Sequence, residues 1–403
     1  MNARILILHA TAGTGHTRAA QAIAAALRAQ ASHQVVVRDT LDYTNRIFRR
    51  LYAKHYIRFV KAFPRAWGYI WETSDGQAPD SWLRQVQQWF NRLNSRRLLV
   101  ALERTPPDLV ICTHYLPLEL MSFLKARGRL GAPVFGVVTD ISPHSFRILP
   151  HIDHYFVPTP ASARELEIKG CAAARITVSG IPIDPVFQHA IPAAVAREKH
   201  GLPAHMPTVL VMAGGFGLGP LTDITSSFSQ ARREVSLVVV AGRSATLKQK
   251  CEAIARRSAT PIKVLGYVDR IHELIDAADI VITKPGGLST SEILAKAKPM
   301  VLIAPIPGQE QRNCEYLLEH GAAARLYNHK DAAFFVESLL ADQARCAAMI
   351  AAAQRISAPY AANAIADHAV ATLANAAMES QPALPSPADQ PAPLHEPARI
   401  PSS

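Results

Sequence analysis

The densest chemistry in the chain lies between Thr283 and Asn313, T-K-P-G-G-L-S-T-S-E-I-L-A-K-A-K-P-M-V-L-I-A-P-I-P-G-Q-E-Q-R-N. Pro285-Gly286-Gly287 forces a tight turn, and the composition of Ser289 to Lys296 predicts a helix after it. The first turns of such a helix offer unpaired N–H groups and a partial positive charge to an anion. Glu292 falls in those turns, with oxygens able to accept from two ribose hydroxyls. Gln309, Glu310 and Asn313, on a polar loop beyond the next short strand, can pair with further hydroxyls. A second phosphate-binding device is the loop Gly214 to Gly219, with glycines at Gly214, Gly215 and Gly217. Neither is specific alone; together they point to a nucleotide carrying polyol groups.

The first half carries the reactive side chains. His16 ends the small-residue loop T-A-G-T-G-H, and an imidazole titrating near neutrality is a competent general base. The same residue could instead be a helix cap or an anion contact. Asp140 and His144, in T-D-I-S-P-H, are candidates for orienting that base or binding an acceptor, with capping as the plainer reading; His114, in T-H-Y-L-P, joins them at one sheet edge. Gly13 and Gly15 superficially suggest a dinucleotide fingerprint, but Arg18 stands where the third small residue should be. No D-x-D pair occurs, which argues against a metal-held diphosphate, and His16, His114 and His144 lack metal-ligand spacing. The expectation is a site without metal or cofactor.

Parallel β-loop-α units must position these groups. Ile5 to Leu8, His33 to Arg38, Asp108 to Cys112, Val134 to Thr139, Tyr155 to Pro158 and Ile176 to Ser179 read as buried strands of one α/β doubly wound sheet, covering residues 1–187. Residues 188–207 read as a low-structure linker. A second unit, residues 208–358, restarts with strands at Thr208 to Ala213, Leu237 to Ala241, Val264 to Val268, Ile280 to Thr283 and Val301 to Ala304. A C-terminal helix over 359–378 has apolar surface enough to pack across both units, and the proline-rich tail 379–403 reads as disordered. Two such sheets imply a cleft, with ligands at the carboxyl ends of the strands.

The chain has 403 residues, 49% hydrophobic and 19% charged, as in a soluble globular protein. No apolar run spans a membrane and no leader is evident, so the expected place is the cytoplasm, where five scattered cysteines stay reduced. The net charge of +11 is concentrated. Between Tyr43 and Thr105 twelve basic residues face four acidic ones, and all four tryptophans fall there too. Phe48, Tyr52, Tyr56, Phe59 and Phe63 recur at helical steps in this insertion of about 43–105. A basic, aromatic, amphipathic stretch suits an anionic membrane surface, each cation contributing about 1 kcal/mol. The plainer reading is a helical hairpin burying its aromatics. No nucleic-acid motif accompanies the charge, so nucleic acid is not expected as a partner.

The run G-Y-V-D-R-I-H-E-L-I-D-A-A-D-I-V-I-T-K-P-G-G-L-S-T-S-E followed by P-I-P-G-Q-E-Q-R-N resembles the donor site of the monogalactosyldiacylglycerol synthase and processive diacylglycerol glucosyltransferase family. G-T-G-H-T-R-A-A, T-H-Y-L-P, V-V-T-D with His144 beyond it, and F-P-R-A-W-G-Y-I-W are similar to that family as well, over roughly residues 4–375. The resemblance implies a glycosyltransferase-B fold, two Rossmann-like domains facing a cleft, a UDP-sugar donor, no metal and inversion at the anomeric carbon. It makes His16 the base, Glu292 the ribose ligand and Gln309 and Glu310 sugar ligands, with uracil at the backbone of Tyr267 and Val268. Gly214, Gly215, Gly217, Pro285, Gly286, Gly287, Ser289 and Asn313 complete the donor set. Phe63, Pro64, Trp67, Tyr69 and Trp71 would meet diacylglycerol, together with His114 and His144, at the inner face of the cell membrane. Thr290 and Ser291 depart from the family, which has a bulkier residue before the serine. A more distant resemblance, to the N-acetylglucosaminyltransferase of peptidoglycan lipid-intermediate synthesis, leaves another lipid acceptor open. A sugar-nucleotide 2-epimerase and a silent UDP-sugar sensor are the remaining alternatives.

Overall fold

The computed structural model describes residues 2–11, 13–30, 32–49, 82–142, 148–215 and 219–379, with Tyr52, Phe63, Ala66, Gly68, Tyr69 and Thr73. Continuous apolar strands can be buried on both faces only if helices cover both, and parallel sheets result. β1 (Arg4–His9), β2 (Gln34–Asp39), β3 (Leu109–Cys112), β4 (Val134–Val137), β5 (His154–Val157) and β6 (Ile176–Val178) form one parallel sheet in the order β2-β1-β3-β4-β5-β6. β7 (Thr208–Met212), β8 (Ser236–Val240), β9 (Ile262–Leu265), β10 (Ile280–Thr283), β11 (Met300–Leu302) and β12 (Ala323–Arg325) form the second, β12-β11-β10-β7-β8-β9.

Each sheet reverses its winding once, between β1 and β3 and between β7 and β10. Loops on either side of a reversal diverge and leave a crevice at the carboxyl ends of the strands. The Thr14–Gln30 helix follows β1 at the first crevice; the glycine loop after β7 and the Gly287–Ala295 helix after β10 flank the second.

Apolar cores cover both faces of each sheet. One of them crosses between the halves, joining Ala19, Ile181 and Ile183 to Leu210, Leu288 and Ile293. The C-terminal helix Ala361–Glu379 returns to the first sheet. Its Ala362, Ile365, Ala366 and Ala369 pack with Ile5, Ile7, Ile23 and Leu27, and Gln30 Nε2 donates to Asp367 Oδ1 at 2.8 Å.

Several segments differ from the sequence expectation. The linker is structured: Ala193–Lys199 is a helix, because its alanines favour one and buried partners hold it. Arg197 bonds Asp279, and Lys199 and His200 bond Glu273. Gln309 to Asn313 lie on a helix, Gln309–Glu319, not on a loop; Gly308, at φ 92°, turns the chain into it, and Glu310 Oε2 accepts from Ile306 N at 2.8 Å. The helix after the Pro-Gly-Gly turn begins at Gly287, two residues early. β12 carries too few residues to stand out in the sequence. Beyond Asp331 the helices Ala332–Ala341 and Gln343–Ile356 meet at Asp342, whose side chain caps the second through Arg345 N.

The aromatic insertion divides. Phe48 is buried and stacks on Tyr52, whereas Phe63 and Tyr69 are exposed. On the helix Trp82–Asn94, Trp82 (70% exposed), Val86, Trp89 (62%) and Leu93 form one open stripe while Asn91 turns inward to Glu119. No helix among the described residues is long and apolar enough to cross a membrane, and all five cysteines are free. Residues 380–403 lie outside the described residues.

Candidate active site in the interdomain cleft

His16 sits in the first turn of the helix that leaves β1. Its Nδ1 is 2.7 Å from the Thr113 carbonyl oxygen and 3.1 Å from Thr139 Oγ1. A carbonyl can only accept, so Nδ1 carries the proton and Nε2 holds the lone pair a base needs. Thr113 Oγ1 returns a bond to the His16 carbonyl at 3.0 Å, tying the ring to the ends of β3 and β4. His114 lies edge-on to His16 with centroids 4.6 Å apart, and Tyr115 lies against His114. His114 Nδ1 accepts from Leu116 N, making it the cap of the next helix. Asp140 is nearly buried just beyond β4.

Across the cleft, Glu292 is 2% exposed in the Gly287–Ala295 helix. Burial raises its carboxyl to about 7, against the pull of Arg18 and with a further push from Asp184. Arg18 Nη2, from the opposite half, is 3.5 Å from Glu292 Oε1. Glu310 pairs with Lys284 at 3.0 Å while it holds Ile306 N, so it fixes the loop before its own helix. Ser289 is on the first turn of the Gly287–Ala295 helix beside Pro285 and Gly286. Tyr267 is partly exposed beneath the Arg243 guanidinium, 4.8 Å from its ring centroid, and Val268 follows.

The two crevices meet. A side chain at Gly215 would overlap Thr14, and one at Gly287 would overlap the Thr139 carbonyl oxygen; both approaches require glycine. Gly214, at φ 70°, is open. Asn313 Oδ1 accepts from Ile141 N at 2.9 Å, and its Nδ2 donates to the Pro285 carbonyl at 3.0 Å. Arg312 donates to Ser142 Oγ at 2.6 Å. Among the described residues no group of three His, Cys, Asp or Glu could hold a metal. Pro64, Trp67, Trp71, His144 and Gly217 lie outside the described residues.

The sequence places Thr113 at the sheet edge of His16 but gives neither it nor Thr139 a role in holding the ring, and gives Arg18 none at Glu292. The available signal was their place: Thr113 follows β3 directly, and Thr139 is two residues beyond β4, at the carboxyl edge where His16 was expected.

The family described as monogalactosyldiacylglycerol (MGDG) synthase matches residues 16–183, and the glycosyltransferase family 28 C-terminal domain matches residues 208–370. A processive diacylglycerol beta-glucosyltransferase of Bacillus pumilus is 29% identical over 351 residues, 86% of this chain and 89% of that protein. The enzyme of that name from Bacillus cereus is 29% identical over 371 residues, 91% and 93% of the two chains. Among solved structures, MurG of Acinetobacter baumannii has a TM-score of 0.60 at 14% identity, covering 90% of this chain and 98% of its own. The UDP-bound MnaA of S. aureus has a TM-score of 0.62 at 14% identity, covering 92% and 97%. These similarities establish the glycosyltransferase-B fold. The amino-terminal half thus carries a monogalactosyldiacylglycerol synthase domain and the carboxy-terminal half a glycosyltransferase family 28 domain.

Proposed function

We propose that this protein is an inverting glycosyltransferase that moves a hexose from a UDP-sugar to the hydroxyl of diacylglycerol, without a metal. The observation that carries the reading is the His16 ring, whose Nδ1 is turned to the Thr113 carbonyl and whose turn lies against the donor-side helix through Gly15 and Leu288. In the reaction the acceptor hydroxyl loses its proton to His16 Nε2 as its oxygen attacks the anomeric carbon from the face opposite the leaving diphosphate. The C–O bond to the sugar forms as the bond to the β-phosphate oxygen breaks, and UDP departs. Backbone amides at Gly287–Ser289 and the glycine loop receive the diphosphate charge. Glu292 takes the ribose hydroxyls, for which Arg18 must yield its contact, and Gln309 and Glu310 face the hexose. Asp140 borders the base. The backbone around Tyr267 and Val268 receives uracil.

The acceptor's side of the reading rests on the exposed stripe Trp82, Val86, Trp89 and Leu93, flanked by the exposed Arg96 and Arg97. Apolar side chains beside cations fit the interface of an anionic membrane. The protein would therefore act at the inner face of the cell membrane, from the cytoplasm. Relatives named for diacylglycerol glucosylation support this acceptor.

The deciding experiment incubates the protein with diacylglycerol vesicles, EDTA and UDP-glucose, UDP-galactose or UDP-N-acetylglucosamine. A hexosyl diacylglycerol of inverted configuration, with UDP released, is expected. An epimerised nucleotide without lipid product, or UDP-sugar binding without turnover, would overturn the reading.

A further inference from the structure

Within the half that holds the base, the segment Thr139–Ser142 is gripped by polar side chains of the Gln309–Glu319 helix. Asn313 has no exposed surface, and both ends of its amide are engaged: Oδ1 with Ile141 N, Nδ2 with the carbonyl of Pro285. Its neighbour Arg312 bonds Ser142 Oγ, and Ser142 in turn bonds Glu165. One residue before Ile141 is Asp140. One before that is Thr139, whose hydroxyl lies on His16 Nδ1 and whose carbonyl rests where only a glycine at 287 leaves room.

We infer that Asn313 is a positioning residue: it clasps the loop beside the catalytic imidazole to the donor's Pro285–Gly287 turn, so that seating the donor also fixes the base. A carboxamide serves here because one end must accept from an N–H and the other donate to a carbonyl, which neither carboxylate nor hydroxyl does with both ends at once. A fully buried amide with both ends bonded contributes through geometry and not by touching sugar hydroxyls. The cost of losing it falls on alignment, where a displacement of about 1 Å can cost about a hundredfold in rate. This inference rests on His16 as base.

The test compares Asn313→Ala, Ser142→Ala and His16→Ala, measuring kcat with diacylglycerol vesicles and, separately, Kd for UDP and for UDP-glucose by calorimetry without acceptor. For Asn313→Ala the expected result is kcat down by about tenfold to a hundredfold, with both Kd values within about threefold of the parent. Ser142→Ala, which removes the Arg312 contact to the same loop along with the bond to Glu165, should lower kcat by severalfold with the same Kd values. Selective loss of UDP-glucose over UDP in Asn313→Ala would make Asn313 a sugar ligand and overturn the inference. So would parental kcat in that variant. If Asn313→Ala does not fold, Ser142→Ala decides alone, and parental kcat there rejects the clasp. A His16→Ala variant that keeps its turnover defeats the base reading instead, and is told apart by that result.

Discussion

At the first sheet's crevice, between β1 and β3, the loops end in polar side chains able to hold and move a proton: His16, with Thr113 and Thr139 on its ring. At the second, between β7 and β10, they end in glycines, Gly214, Gly215, Gly286 and Gly287, which put no side chain over the backbone. On the proposed function, the same strand plan serves two kinds of chemistry. A group that transfers a proton needs one orientation, supplied by neighbouring hydrogen bonds. A surface that receives a diphosphate needs close approach and many donors, supplied by the absence of side chains. At its outer face the first half carries the exposed stripe Trp82, Val86, Trp89 and Leu93 beside Arg96 and Arg97.

The sharpest way to break this contrast is His16→Ala. Turnover should fall by about 10² to 10⁴-fold with UDP affinity intact; equal losses in kcat and UDP binding would merge the two roles. Next is Gly287→Ala. Its methyl group must push the Thr139 carbonyl away, an overpacking cost of about 1–3 kcal/mol, so donor affinity and kcat should drop together; a parental enzyme would mean that the halves do not close on each other during turnover.

Glu292→Gln sharpens the donor side. Losing a charged acceptor costs about 1.5 kcal/mol or more, roughly tenfold in UDP affinity. The parent's carboxyl sits at about 7, so its affinity for UDP should rise as pH increases through that value, as the ionised form gains population. The glutamine variant should be flat there. Titration calorimetry between pH 6 and 8 reads both.

Paired Trp82→Ser and Trp89→Ser changes should weaken sedimentation with anionic vesicles severalfold and leave UDP affinity unchanged, with added salt weakening the parent as well. An unaltered vesicle affinity would remove the stripe from the acceptor's side.

A smaller effect concerns the strap that joins the halves. His154, on β5, lies against His368 of the C-terminal helix with centroids 4.1 Å apart. Burial, then His368, pushes His154 down to about 4. The folded protein therefore holds it neutral, and the stability this gives is present above the ordinary value of 6.5 and drains away as pH falls toward 4, by on the order of 2 kcal/mol. Thermal unfolding of His154→Leu should lose less with acid than the parent does; parallel curves would exclude the pair as the cause.

Much of the fold was legible. Apolar runs such as Ile5 to Leu8 and Ile280 to Thr283 mark strands buried on both faces, and Gly and Pro punctuate their ends. The Gln309–Glu319 helix was not, because its amphipathic pattern opens with five polar residues that read as loop. Nor was the split of the aromatic insertion, since helical spacing tells which aromatics share a face and not whether that face meets protein or solvent; the structure buries Phe48 and leaves Trp82 open.

By itself, the sequence determined the two parallel sheets, the glycine turns and the reactive groups near them, because periodicity and turn chemistry are local. Only the tertiary structure decided which of those groups meet. Thr113 reaches His16 from 97 residues away, Asn313 reaches Ile141 from 172, and Arg18 faces Glu292 across the cleft. Strand order and the seating of one half on the other set those distances, and no spacing along the chain encodes them.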